Sequence, residues 1–323
     1  MASQCSFTDY RLIAELHIVH GNGEETVVGT DTSWKYATSY LNSGIYDGEV
    51  IDDRILLENA EWKPAILVST EIGQLTDRYS LPVVKNKELQ VQEVLTTEDG
   101  SVILDFGQNM TGWVVFQSSL QKGEQIHLEF AEVLQNGQFY NENYRTATGG
   151  FTYISDGTGK LVCPHFTYFG FRYVRVSGMT KKINPKDFSA WVLYSNLENT
   201  GYLETDDKKI NRLFQNCVWG QKSNFLDIPS DCPQRDERLA WTGDAQIFAP
   251  TASYNMDTKA FYRKFMWMMR TAQMHRGGGM PAYVPESFIL CDPAAGWGDA
   301  ATILLPSCGS IIRIRNYCRN VTR

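Results

Sequence analysis

The chain has 323 residues, enough for about two or three domains and a large buried core. Hydrophobic residues make up 43% and aromatics 12%, a globular composition that excludes disordered and fibrous classes. A formal net charge of −7, with Lys181-Lys182 and Lys208-Lys209 as the longest basic steps, argues against nucleic acid or an anionic membrane as partner.

The first residues, Met1 to Arg11, contain no apolar core of leader length, and no run is long enough to span a bilayer, so a cytoplasmic location is expected. Leu12 to Val19 and Thr26 to Val28 read as strands around His20-Gly21-Asn22-Gly23, whose Asn-Gly step is a hairpin signal. From Val83 to Leu193 short strands recur, beginning at Val102, Trp113, Ile126 and Phe171. Asn136-Gly137 and Asp156-Gly157 serve as turns between them. This spacing predicts an antiparallel β-sandwich. Asp105 to Asn109 reads either as a strand leaving the sandwich through polar side chains or as a bulge or turn held by them.

The character changes near Glu198. Thr205-Asp206-Asp207 offers helix caps, and Ile210, Leu213, Phe214, Cys217 and Gln221 follow at helical spacing. A second helix is predicted from about Ala245 to Tyr254, bent or interrupted at Pro250. A third runs from about Thr258 to Met274, capped by Asp257, with Phe261, Phe265, Met268, Met269 and Ala272 as its apolar side. Gly277-Gly278-Gly279 ends it. The order is β first, α afterwards.

Chemistry concentrates between the first two helices. Asp227 to Asp244 gathers five carboxylates with Arg235, Arg238 and Trp241. Carbohydrate chemistry uses such a set: acids for proton transfer, arginine to fix hydroxyls, a flat aromatic face for a sugar ring. The same residues serve equally as a salt-bridge lattice of Arg235 and Arg238 with nearby acids that only closes the loop. Trp297, between Gly296 and Gly298, sits where an indole can stack on a pyranose, or else closes a helix end in the core. His127 and His165 lack metal partners at ligand spacing and are read as structural. Seven widely spaced cysteines with no C-x-x-C pair are read as free thiols in a reducing compartment. No nucleotide-binding fingerprint, P-loop or G-x-S-x-G elbow is present, and neither metal nor cofactor is expected.

Asp231 to Asp244 (DCPQRDERLAWTGD) closely resembles the signature of bacterial α-L-rhamnosidases of glycoside hydrolase family 78. Ser43–Glu49 (SGIYDGE) is similar to the end of that family's N-terminal domain. Asp105–Trp113 (DFGQNMTGW), Ala131–Gly137 (AEVLQNG) and Pro164–Tyr173 (PHFTYFGFRY) resemble its central β-sandwich. Asn224–Ser230 (NFLDIPS) and Gly296–Ala301 (GWGDAA) continue the likeness into its helical domain.

The resemblance implies antiparallel β-sandwich domains followed by the first helices of an (α/α)6 barrel. The expected divisions are 1–80 (the N-terminal β domain), 81–197 (the central sandwich) and 198–323 (a truncated barrel). It implies hydrolysis of terminal α-linked L-rhamnose with inversion. Glu237 would be the general acid; Asp231, Arg235 and Asp244 would hold sugar hydroxyls; Trp241 and Trp297 would wall the subsite. Partners would be rhamnose-containing glycosides or oligosaccharides. Ala240 departs from the family's usual glycine, a modest change. The general base is expected on a segment beyond residue 323. A non-catalytic rhamnoside-binding fragment and another inverting glycosidase of the same barrel are the alternatives. After Ile303 the likeness stops, and Gly309 to Arg323, read in a shifted frame, resembles the family's next helix, so a frameshift is expected. A partial ring of helices is expected to leave Phe261, Phe265 and Met269 without neighbours and the chain poorly soluble.

Overall fold

The computed structural model describes residues 11–68, 75, 77–286 and 294–304. The expected frameshifted tail lies outside them. The predicted N-terminal hairpin is present: Glu15–Val19 pairs antiparallel with Glu25–Gly29, and Gly23 takes φ +85° in the turn.

Ten strands form the main sheet. They are β1 (Leu41–Gly44), β2 (Gly48–Asp52), β3 (Val83–Gln90), β4 (Glu93–Thr96), β5 (Val102–Gln117), β6 (Gln125–Ala131), β7 (Gly150–Ile154), β8 (Leu161–Val162), β9 (Phe169–Ser177) and β10 (Phe188–Ser195). Their order is β1-β2-β7-β6-β9-β5-β10-β3, with β4 and β8 also pairing β5. Neighbours are antiparallel except β2 and β7, which run parallel. β1 and β2 thus lie in the same sheet as the strands after residue 80.

β6 shows why this sequence makes a sheet with one dry side. Ile126, Leu128 and Phe130 are buried while Gln125, His127 and Glu129 alternate outward. The inward residues meet Phe116, Phe151, Phe169, Phe171 and Phe188 in one core that draws on both halves of the sheet. Phe130 stacks on Phe169 with centroids 3.9 Å apart.

Two strands expected at Val102 and Trp113 are a single 16-residue strand, β5. Asp105 to Asn109 is not an exit from the sandwich but a bulge held by Asp105, as the second reading had it. Gly107 adopts φ +75°, its N–H donates to Asp105 Oδ1 at 2.7 Å, and the register against β9 slips between Phe171 and Tyr173. A bulge there bends the strand: β9 pairs with it on both sides of the bulge, while β4 pairs only with its first half and β10 only with its second.

Three longer helices follow: α1 (Lys208–Asn224), α2 (Thr242–Asn255) and α3 (Lys259–His275), then the four-residue α4 (Ala295–Gly298). Asp207 caps α1, accepting from the Lys209 N–H at 2.7 Å. α1 buries Val218 and Gln221, while Ile210 and Leu213 of its expected apolar side are exposed. Gln221 ties α1 to α2, donating to the Ala252 carbonyl at 3.1 Å and accepting from Asn255 at 3.0 Å. α2 packs through Ala245, Ala249 and Ala252, whose small side chains permit close approach. Pro250 lies inside α2 without ending it, and the helix begins three residues before the predicted start.

The expectation for α3 is overturned in one respect. Phe261, Phe265 and Met269 are buried, not left without neighbours: Phe261 stacks on Phe225 at 4.5 Å, and the group packs with Tyr262, Ala249 and Met256. Apolar side chains left at the surface instead include Leu213, Ile247, Tyr254, Trp267 and Met274. A buried hydrogen bond from Thr111 Oγ1 to the Ser223 carbonyl at 2.7 Å joins the sheet to α1. Among the described residues Cys163, Cys217 and Cys232 are free thiols. His127 pairs with Thr152 and His165 with Glu49. No helix of the described residues is long and apolar enough to cross a membrane.

Candidate active site

The loop between α1 and α2 is laid against the sheet by Arg238. This side chain is 7% exposed, and its guanidinium donates to the carbonyls of Ile45 (2.8 Å), Tyr168 (3.0 Å), Arg235 (3.2 Å) and Gln234 (3.3 Å). It also faces the rings of Tyr46 and Tyr168. Among the described residues Arg238 therefore pairs with no carboxylate; its guanidinium donates to backbone oxygens. Its backbone sits at φ +54°, in the left-handed region. Pro233 and Gln234 pack directly over Gly170 of β9, where a side chain would collide.

Held this way, the loop lines up four predicted residues in a chain of contacts. Asp231 accepts from the Leu239 N–H through Oδ1 at 2.8 Å, and its Oδ2 lies 3.2 Å from Arg235 Nη2. The same Nη2 is 3.1 Å from Glu237 Oε2. Glu237 Oε1 accepts from Trp241 Nε1 at 2.9 Å. Arg235 thus bridges two carboxylates that would otherwise repel, and Trp241 fixes the orientation of the second. Trp241 in turn lies against Tyr283, with centroids 5.3 Å apart.

Asp244 stands in the first turn of α2 and shares with Asp231 the rim of a cavity of about 290 Å³. The rest of that cavity is walled by Cys217, Gln221, Phe225 and Phe248 among others. Burial, with the charges of Asp231 and Glu237 behind it, raises the Asp244 carboxyl above the ordinary value against the pull of its own backbone N–H. Trp297, on α4, is 39% exposed and lies flat over Gly243, the position next to Asp244. Its carbonyl accepts from Thr242 Oγ1 at 3.1 Å, so α4 is pinned to the start of α2. All six sequence-predicted residues therefore surround the loop and the first turn of α2.

Some residues of the site carried no signal in the sequence. Arg145, from the loop before β7, reaches across with Nη1 3.3 Å from Glu237 Oε2 and Nε on Asp236 Oδ1. Thr146 also donates to Asp236. Burial would raise the Asp236 carboxyl, but Thr146 and Arg145 outweigh it and hold it below the usual range. The Tyr46 hydroxyl donates to the Glu237 carbonyl at 2.7 Å.

Asp231, Cys232 and Glu237 present possible ligand atoms within 4.8 Å of one another. The donor set fits a metal poorly. Burial, then the hydrogen bond with Asp231, pushes the Cys232 thiol up to about 12, so it stays protonated, and the Arg235 guanidinium already supplies the positive charge between the two carboxylates.

Three family models match the chain in succession. They describe the alpha-L-rhamnosidase N-terminal domain over residues 3–87, the bacterial alpha-L-rhamnosidase concanavalin-like domain over 95–194, and the bacterial alpha-L-rhamnosidase 6 hairpin glycosidase domain over 198–307. A β-rich region followed by the first helices of a six-hairpin glycosidase domain, with an acidic loop between two of those helices, defines the class. Within that class, the chain belongs to the bacterial alpha-L-rhamnosidase family.

An alpha-L-rhamnosidase of Formosa agariphila is 35% identical over 311 residues, covering 91% of this chain and 33% of that protein. One of Streptomyces avermitilis is 33% identical over 301 residues, covering 90% and 29%. Among solved structures, the native alpha-L-rhamnosidase from Aspergillus terreus superposes with TM-score 0.86 at 32% identity, covering 92% of this chain and 36% of that one. The Streptomyces avermitilis enzyme complexed with L-rhamnose superposes with TM-score 0.85 at 32% identity, covering 91% and 30%. The chain spans about a third of the length of these relatives.

Proposed function

We propose that this chain carries the acid half of an α-L-rhamnosidase site that hydrolyses terminal α-L-rhamnosides with inversion. The observation that carries this reading is the contact chain Asp231–Arg235–Glu237–Trp241 at the mouth of the helical region. Glu237 gives its proton to the glycosidic oxygen as the bond to the sugar C1 breaks, and the aglycone leaves as an alcohol. Water adds to C1 from the opposite face and yields its proton to a second carboxylate. Asp231 and Asp244 hold hydroxyls together with Arg235, and Trp241 and Trp297 flank the ring.

The second carboxylate is not Asp231. An inverting pair stands roughly 6.5–9.5 Å apart to admit a water, whereas ligand oxygens of Asp231 and Glu237 lie within 4.8 Å and share one guanidinium. We assign the base to a segment beyond residue 323. The 323-residue chain is therefore expected to bind L-rhamnose, with Glu237→Gln leaving that binding intact, and to release none from an aryl α-L-rhamnoside. In an intact relative, glutamine at the matching position should lower kcat by about 10²–10⁴-fold. Turnover by the purified chain would overturn the assignment of the base; an undiminished kcat in the glutamine variant would overturn the acid.

A further inference from the structure

The Glu237 carboxylate is approached only by donors among its described contacts. Trp241 Nε1 is 2.9 Å from Oε1, while Arg235 Nη2 at 3.1 Å and Arg145 Nη1 at 3.3 Å share Oε2. A guanidinium has no acceptor, and neither has an indole N–H. A proton on Oε2 would face two cations. This arrangement therefore suits the conjugate base of Glu237, the species present after a proton has been given away.

We propose that Arg145 is a positioning residue that captures the Glu237 carboxylate formed by proton transfer, and that it swings off Oε2 before Glu237 takes up its next proton. This rests on the reading of Glu237 as the proton donor. Glu237 loses one proton to the departing oxygen and becomes the anion that Arg145 and Arg235 grip; the proton that the second carboxylate took from the attacking water then returns to Glu237 through solvent.

Arg145 is built to move where Arg235 is not. Its side chain is 49% exposed against 36% for Arg235, and it has a second anchor. Nε bonds Asp236 Oδ1 and Nη2 reaches the Asp236 carbonyl at 3.3 Å, so Nη1 can release Glu237 while the rest of the guanidinium stays docked. Arg235 is tied to Asp231 and lies within the loop itself. Tyr46, donating to the Glu237 carbonyl, keeps the backbone still while the side chain changes partner. The charged groups around Glu237 are then Arg145, Arg235, Asp231, Asp236 and Asp244. The β-rich region thereby supplies a working part of the site and not only a platform for it.

The test uses the 323-residue chain and the indole N–H resonance of Trp241, which reports on Glu237 through its hydrogen bond. In Arg145→Ala this resonance should move while that of Trp191, in the sheet, stays. Guanidinium ion at a non-denaturing concentration should return it toward the wild-type position, and urea at the same concentration should not. A Trp241 resonance that matches the wild type would overturn the proposal. So would equal recovery with urea, which marks a merely structural role. Should Arg145→Ala unfold, Arg145→Lys carries the comparison: a point charge cannot serve Asp236 and Glu237 together, so a wild-type Trp241 signal there sinks the idea. Failure of the wild type to bind L-rhamnose would instead count against the functional reading, with the Arg145–Glu237 coupling still measured.

Discussion

The Arg238 guanidinium lies 4.7 Å from the centroid of the Tyr168 ring and donates to the carbonyl of that same residue at 3.0 Å. One side chain of the helical region is thereby wrapped on a segment just ahead of β9. With Ile45, Gln234 and Arg235 it satisfies four carbonyls in a place where water has little access. The geometry of the proposed acid follows from this anchor, because Glu237 is the residue immediately before it.

Arg238→Ala is accordingly expected to cost about 2–4 kcal/mol, since it strands several carbonyls at once rather than removing one hydrogen bond. Arg238→Lys should recover little: an ammonium lacks the planar fork that serves carbonyls on opposite sides. Denaturant unfolding of the three proteins checks this. An unchanged midpoint for Arg238→Ala would mean that the loop docks by other means.

Much of this architecture was legible in the residues, and the failures have physical causes. The Asn22-Gly23 hairpin, the Asp207 cap and the third helix follow from local chemistry, and the structure contains them. The acidic loop was legible because charge and aromatic residues crowd within Asp227 to Asp244. Arg145 was not, because an exposed arginine in a polar loop looks the same whether it faces solvent or a carboxylate from 92 positions further along, as Glu237 is. The lattice alternative puts Arg238 among acids because charge is visible in a sequence and backbone carbonyls are not. Asp105 to Asn109 is the bulge that one reading allowed, but two strands are expected at Val102 and Trp113 where there is one, since a bulge and a turn use the same Gly and Asp chemistry and differ only in whether the ladder resumes. Pro250 interrupts nothing: a helix held on its buried side by Ala245, Ala249 and Ala252 tolerates one lost hydrogen bond.

The Asp105–Arg172 pair gives the stability a defined acid limb. Arg172 Nε and Nη2 grip the two carboxylate oxygens at 2.8 and 2.7 Å. Burial pushes the Asp105 carboxyl up, but Arg172 and the Gly107 N–H outweigh it and hold it below the ordinary value. A depressed carboxylate contributes stability that is present above the unfolded value, about 3.9, and is lost as pH falls through the folded one. Asp105→Asn should therefore cost about 1–2 kcal/mol at pH 7, discounted for the partly exposed arginine. The gap to the wild type should narrow below about pH 4. Thermal melts of both proteins from pH 7 to pH 3 decide it. A gap that stays constant across that range would remove the pair from any role in acid unfolding.

Gly243 separates stability from ligand binding in one substitution. A methyl group there would stand 3.0 Å from Cδ1 and Nε1 of Trp297 and 3.1 Å from Cδ2, so the indole must yield by a few tenths of an ångström. Because that ring is 39% exposed, it can tilt outward into solvent without straining the core. Alanine also favours the helix over glycine by up to about 1 kcal/mol, less in a first turn. Gly243→Ala is thus expected to melt within about 2 °C of the wild type, the gain and the clash offsetting each other. L-rhamnose affinity should fall roughly 3–10-fold, about 0.7–1.4 kcal/mol, as one proposed wall leaves its place. Calorimetric titration beside a thermal melt checks both halves. Unaltered affinity with a displaced indole would remove Trp297 from the sugar subsite, whereas a large loss of stability would show that the indole is fixed in place by α4 and cannot yield.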